Sequence, residues 1–228
     1  SVVSPGMNIF LEKCREQISY AIETQRDNAF IHSEWKQLLR PGENNITAKG
    51  GIYGPYLTSA WGQTRAYPKT CDGYNYYVTE TVDQCKCASI SKCPTGCVAT
   101  AMAQIIRYWQ YPARSPYTGE AYEWANMCDT LKAASPHFEV ERKAIARLMR
   151  DCGLSAGTHY CYAPNSYGCQ SFAWPTKARD GFVNQFCFSE KAERKLRSSH
   201  NTKIWKQLII DEIVSGNPVL YGSASLAV

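Results

Sequence analysis

The thiols and imidazoles of this chain are the first candidates for nucleophilic and acid–base chemistry. There are eleven cysteines, at Cys14, Cys71, Cys85, Cys87, Cys93, Cys97, Cys128, Cys152, Cys161, Cys169 and Cys187. There are four histidines, His32, His137, His159 and His200. Cys97 has the most suggestive surroundings. It follows the turn-forming run Pro94-Thr95-Gly96 and opens an apolar series, Val98, Ala99, Met102, Ile105, Ile106 and Trp109, at helical spacing. A cysteine in the first turn of a helix meets unpaired backbone N–H groups and the positive end of the helix dipole. Both favour the thiolate, which is the nucleophilic form. Gly96 and Ala99 are small and leave room for a polypeptide to approach. The plainer alternative is a buried or disulfide-bonded cysteine.

The other cysteines allow two readings. Cys71, Cys85, Cys87 and Cys93 could surround a zinc ion, but C-x-C followed by C-x5-C matches the paired knuckles of structural zinc sites poorly. Disulfides fit better, because cysteines this dense suggest an oxidising compartment. An odd count leaves at least one thiol over. If ten pair, the remaining one is expected to be Cys97. The histidines give no matching base: His32 lies in an N-terminal appendage, His137 follows Pro136, His159 sits among tyrosines and His200 lies in a charged loop. Each reads as a surface or packing residue.

The elements that must position Cys97 follow from periodicity. One helix starts at Cys97 and ends near Tyr111, because Pro112 disfavours helical geometry in the residue before it. A second covers 141–152, with Ala144, Ile145, Leu148, Met149 and Cys152 on one face and Gly153 as its stop. A third runs near 203–215, and Val219-Leu220-Tyr221 begins a strand. Residues 52–96 and 154–175 read as loop. Residues 1–50 read as an appendage: Phe10, Cys14, Ile18 and Ile22 suggest one amphipathic helix, and Lys49-Gly50-Gly51 an exposed linker. Helices preceding strands suit an α+β fold.

Composition narrows the function. The net charge is +5 from 25 basic and 20 acidic residues. It is scattered, and the densest run, 190–195, mixes both signs, so nothing points to nucleic acid. No stretch approaches the roughly 18 apolar residues of a membrane span. No metal or organic cofactor is expected.

The segment Cys93-Pro94-Thr95-Gly96-Cys97-Val98-Ala99-Thr100-Ala101-Met102-Ala103-Gln104-Ile105-Ile106, continuing through Tyr111-Pro112, resembles the nucleophile segment of the streptopain-type (C10) cysteine peptidases. Trp61-Gly62-Gln63 resembles the W-x-Q motif of that family. Tyr122 through Met127 resembles its aromatic-acid-W-x-x-M segment. Residues 205–222 resemble the helix and strand that precede its catalytic histidine. The likeness extends over roughly 52–223.

That resemblance implies a papain-like fold whose nucleophile sits at the N-terminus of a central helix, with the β-rich half incomplete in this chain. It implies a secreted or cell-surface bacterial zymogen in which residues 1–50 are a propeptide remnant acting as inhibitor and 51–228 the peptidase domain. Cys97 would be the nucleophile, and the Gln63 amide would help hold the oxyanion. A loop containing Ser166, Tyr167 and Gly168 would line the substrate cleft, the alternative being a tyrosine-rich surface loop. Substrates would be proteins or peptides. The family's histidine follows the strand expected at 219–222, in a G-G-H-x-F-type sequence, whereas this chain reads Ser223-Ala224-Ser225-Leu226-Ala227-Val228. Two readings follow. One is a cysteine endopeptidase whose histidine comes from a companion chain or C-terminal segment. The other is an inactive papain-like binding or decoy protein.

Overall fold

Gly96 sets the start of the principal helix. Its φ of 91° lies in the left-handed region, which a residue without Cβ adopts freely. A computed structural model of the chain describes residues 55–66, 72–81, 92–161 and 170–222. The chain falls into two units, Ser1–Ile52 and Tyr53–Val228, and every described residue belongs to the second. The helices and linker expected in residues 1–50 lie outside the described residues.

Helix α1, Cys97–Trp109, begins directly after Gly96. It ends at Gln110, which is left-handed (φ 47°) and returns its N–H to the Arg107 carbonyl at 3.2 Å. Pro112 lies just beyond, where the sequence demanded a stop. Val98, Ala99, Thr100, Met102, Ala103, Ile105 and Ile106 are buried.

Helix α2, Phe138–Ser155, packs against α1. Its core residues Ile145, Leu148, Met149 and Cys152 join Ala99, Met102, Ala103 and Ile106 in one apolar cluster, which Leu131, Met127 and Phe186 extend. Glu139 and Glu141 in its first turn complement the helix dipole. Gly153 is not the stop that the sequence suggested: α2 runs through it. A Cβ there would fall 2.0 Å from the Tyr160 hydroxyl, so this glycine admits Tyr160 rather than ending the helix.

A further short helix, α3, Pro175–Asp180, has no counterpart among the elements expected from periodicity. It continues into a single wider turn over Gly181–Gln185. Pro175 suits a first helical position. A Cβ on Gly181 would lie 2.9 Å from Met102 Cε and 3.2 Å from the Ser155 carbonyl, so this turn seats directly on α1 and the end of α2. Apolar residues are sparse along the run, which hides its periodicity.

Helix α4, Thr202–Val214, is capped by Asn201, whose side chain accepts the Ile204 N–H at 2.9 Å. None of its residues is buried. Val219-Leu220-Tyr221 forms no strand, correcting the expectation. A strand needs a paired neighbour, and the described residues hold only four isolated bridges, Arg65–Asp72, Thr81–Lys92, Arg114–Ala121 and His159–Phe172.

Candidate active site

Cys97 is the first residue of α1, and its thiol is free and exposed. The first helical hydrogen bond runs from the Thr100 N–H to the Gly96 carbonyl at 3.1 Å. The N–H groups of the first turn before it have no intrahelical acceptor. Gly96, in the N-cap position, has no side chain with which to cap that turn. An exposed sulfur therefore sits at an open helix N-terminus whose body is buried.

The turn before Cys97 is clamped from below. Cys93 and Cys161 form a disulfide across 68 residues of sequence. The buried Ser171 hydroxyl donates to the Pro94 carbonyl at 2.5 Å and accepts the Cys161 N–H at 3.2 Å. His159 and Phe172 exchange backbone hydrogen bonds at 2.8 and 3.0 Å. A Cβ on Gly96 would stand 3.4 Å from the Ser171 carbonyl and 3.5 Å from Thr158 Cγ2. Glycine is thus required there both for its φ and for this close packing. Ser166, Tyr167 and Gly168 lie outside the described residues; the segments flanking them, at Cys161 and Ser171, are both fastened to the turn before Cys97.

Gln63 is exposed, and its backbone is tied to the same turn: its carbonyl accepts the Thr95 N–H at 2.9 Å. The outer side of α1 holds the segment leading to it. Gln104 Oε1 accepts from Ser59 Oγ at 3.1 Å and from the Trp61 N–H at 3.5 Å. The Trp61 indole donates to the Cys128 carbonyl at 2.8 Å. Arg107 donates to the Met127 carbonyl at 2.9 Å and to Asp129 Oδ1 at 2.6 Å, with its guanidinium 5.5 Å from the Trp61 ring centre. The Thr58 hydroxyl, together with Arg107, holds the Asp129 carboxyl below the usual carboxylate range. Polar residues of α1 thus place Gln63 beside the turn that ends in Cys97.

The expected leftover thiol needs correction. Among the described residues four cysteines are free: Cys97, Cys128, Cys152 and Cys187. Cys152 is fully buried on the core side of α2 and packs as a small apolar side chain; burial pushes its thiol well up. Burial pushes Cys128 to about 11. Cys187 is exposed. Cys97 is therefore distinguished by its position and not by elimination. The disulfide removes Cys93 from any zinc set; Cys71, Cys85 and Cys87 lie outside the described residues. Among the described residues no group of three or more metal-binding side chains comes together. No described helix is long and apolar enough to cross a membrane.

The histidines are dispersed. His137 is exposed just before α2, and His159 is exposed beside its bridge to Phe172. His200 places Nδ1 2.8 Å from the Leu196 carbonyl and packs 5.9 Å from the Trp205 ring. His32 lies outside the described residues. Sequence reasoning missed Thr95, Thr100, Gln104 and Ser171 as builders of the site. A faint signal existed: Thr100 and Gln104 interrupt an otherwise apolar helix.

Comparison with known proteins gives the chain's family and fold. The model of the Peptidase C10 family matches residues 61–227. Streptopain of Streptococcus pyogenes is 26% identical over 150 residues, 56% of this chain and 36% of that protein. The thiol protease/hemagglutinin PrtT of Porphyromonas gingivalis is 27% identical over 148 residues, 57% of this chain and 16% of that protein. The chain thus spans about a third or less of the curated relatives it matches. Among solved structures, active wild-type interpain A cysteine protease of Prevotella intermedia superposes with a TM-score of 0.55 at 29% identity, covering 72% of this chain and 67% of that one. A prointerpain A fragment from the same organism gives 0.62 at 23% identity, covering 95% and 65%; at that identity the likeness concerns the fold alone.

Proposed function

This chain belongs to the Peptidase C10 family and has a papain-like, helix-rich α+β fold, and from that membership we propose that it is a cysteine endopeptidase acting through Cys97. The observation that carries the reading is the free, exposed thiol on the first residue of a buried helix, with the Gln63 backbone latched to Thr95 two residues before it. Cys97 Sγ attacks the scissile carbonyl carbon. The oxyanion is held by the Gln63 side-chain amide and the Cys97 backbone N–H; one such donor contributes about 2.7–4 kcal/mol. The C–N bond then breaks, and the amine leaves with a proton from an imidazole. Water, activated by the same imidazole, releases the acyl group. That imidazole comes from a polypeptide segment or chain not contained in these 228 residues.

Residues 51–228 form the peptidase domain in this reading, and residues 1–50 are a propeptide remnant that restrains it. The loop with Ser166, Tyr167 and Gly168 lines the cleft, since both its flanks reach the nucleophile turn. Substrates are proteins with a hydrophobic side chain two residues before the cut. The protein works at the bacterial surface or outside the cell, where the Cys93–Cys161 disulfide persists.

The histidine positions favour a second reading, a binding protein with a papain-like cleft and no turnover. Labelling with a peptidyl thiol-reactive inhibitor, followed by peptide mapping, separates the two, and Cys187 serves as an internal exposed free thiol. The peptidase reading expects Cys97 to be labelled at least about tenfold faster than Cys187, with saturation. Equal, unsaturable rates at the two cysteines would leave the binding reading.

A further inference from the structure

Two hydroxyls are buried beneath the nucleophile, on a turn and helix face otherwise lined by Val98, Ala99 and Met102. Thr95 is fully buried and Thr100 nearly so. The Thr100 hydroxyl donates to the Gly96 carbonyl at 2.9 Å, beside the Thr100 N–H that reaches the same oxygen at 3.1 Å. A hydroxyl carries one proton. With that proton committed to Gly96, Thr100 Oγ1 can only accept from Thr95 Oγ1, 3.0 Å away. The longer 3.4 Å contact from Thr95 Oγ1 to the Gln63 carbonyl is the weaker alternative for that proton. The Thr95 N–H already holds the Gln63 carbonyl at 2.9 Å.

The consequence lies in the Gly96–Cys97 peptide. In a trans peptide the C=O and the following N–H point in opposite directions. Drawing the Gly96 carbonyl along the helix toward Thr100 therefore aims the Cys97 N–H out of the open helix end. The Thr95 backbone simultaneously fixes the main chain of Gln63. The hydroxyl pair thus supports the Cys97 N–H, while the backbone N–H of one of its members, Thr95, supports Gln63.

We propose that Thr95 and Thr100 are positioning residues: their hydroxyl relay orients the Cys97 N–H from a residue, Thr95, whose backbone N–H also fixes the Gln63 main chain, so that the two oxyanion donors are set together. This inference rests on the reading of Cys97 and Gln63 under Proposed function. The geometry favours it over simple capping. The Thr100–Gly96 contact alone would be local helix back-bonding, but the Thr95 hydroxyl joins the relay from outside the helix, and the Thr95 backbone N–H binds the Gln63 segment.

The test compares acetyl-Phe-glycinal, whose adduct with Cys97 generates an oxyanion, with acetyl-Phe-glycinol, which binds without one. Binding of both, and the iodoacetamide alkylation rate of Cys97, are measured for the intact chain and for Thr95→Val, Thr100→Val, Thr95→Ser, Thr100→Ser and Gln63→Ala. The valine variants are expected to weaken aldehyde binding on the order of tenfold, less than outright loss of a donor. Alcohol binding and Cys97 alkylation should stay within about twofold, as expected when only transition-state-like contacts are lost. The serine variants should restore aldehyde binding. Should valine crowd the site and prevent folding, Thr95→Ala and Thr100→Ala remove the same hydroxyls, and the same aldehyde-to-alcohol ratio is read. Unchanged aldehyde binding in the hydroxyl-free variants, with Gln63→Ala weakened, overturns this inference alone. So does an equal loss of aldehyde and alcohol binding. If Gln63→Ala is also unaffected, or no adduct forms even after proteolytic removal of residues 1–50, the oxyanion reading itself fails and this inference with it.

Discussion

Helices α1 and α4 are each thirteen residues long and both rich in apolar side chains, yet they end in opposite circumstances. In α1 the apolar residues share a face, include the small Ala99 and Ala103, and are buried against α2. Its polar residues are used as well: Gln104 and Arg107 hold the 58–61 segment, and Thr100 the turn before Cys97. In α4, Ile204, Trp205, Leu208, Ile209, Ile210, Ile213 and Val214 are spread around the circumference, and none is buried. Its ties are mostly polar and peripheral: the Asn201 cap, Gln207 to Asp211 at 2.7 Å, Asn217 to Glu212 at 2.8 Å, and the Tyr108 hydroxyl to the Gly216 carbonyl at 3.0 Å. The lesson is that apolar content announces a helix, while arrangement and residue size decide whether that helix can anchor a reactive group. A nucleophile at the head of α4 would have no fixed frame; at the head of α1 it has one on two sides.

The sharpest test of this contrast is a cavity in α1. Ile106→Ala removes fully buried methyl groups between α1 and α2 and should cost about 2–5 kcal/mol, measured by urea unfolding of the intact chain. Next comes Gly153→Ala. The new Cβ meets the Tyr160 hydroxyl, and the variant should lose about 1–3 kcal/mol by the same measurement. A smaller, pH-dependent effect is expected at Asp151. Burial raises its carboxyl above the ordinary value, against the hydrogen bonds from Tyr122 and Ser115 and the charges of Arg147 and Arg150. The folded state therefore holds that proton more tightly than the unfolded chain. The contribution of this group to stability is greatest at acid pH and declines as pH rises from the unfolded value near 3.8 toward the raised folded one. Asp151→Asn should remove that decline, seen as a flatter stability–pH curve above pH 4. Glu80, whose carboxyl is held low by Arg150 despite partial burial, works with the opposite sign and is lost as pH falls. The smallest effect belongs to α4: Ile210→Ala should change stability by no more than about 0.5 kcal/mol. A loss there as large as that of Ile106→Ala would break the comparison.

Much of the Cys97 region was legible from sequence because its signals are local. Gly96 permits a positive φ, Pro112 forbids continuation, and the residues between repeat at helical spacing. The same reasoning read Gly153 as a stop, since a glycine after an apolar face usually ends a helix; the Tyr160 ring, seven residues on, gives it another purpose. It missed α3, whose residues Pro175–Asp180 hold little apolar pattern. It placed a strand at 219–221 from β-branched and aromatic character, without knowing whether a partner stood beside it. For Gln63 the motif was readable, but its backbone latch to Thr95 was not.

The sequence by itself determined the helix that begins at Cys97, the residue type at its head and the family the chain belongs to. These rest on neighbours in the chain, whose steric and periodic constraints are written in order. The tertiary structure decided which thiols pair, joining Cys93 to Cys161 while leaving Cys97, Cys128, Cys152 and Cys187 free. It also decided which polar side chains hold the turn before Cys97, and that no residue of α4 is buried while one face of α1 is. Each of those outcomes depends on contacts between residues tens of positions apart, and such contacts exist only once packing has brought them together.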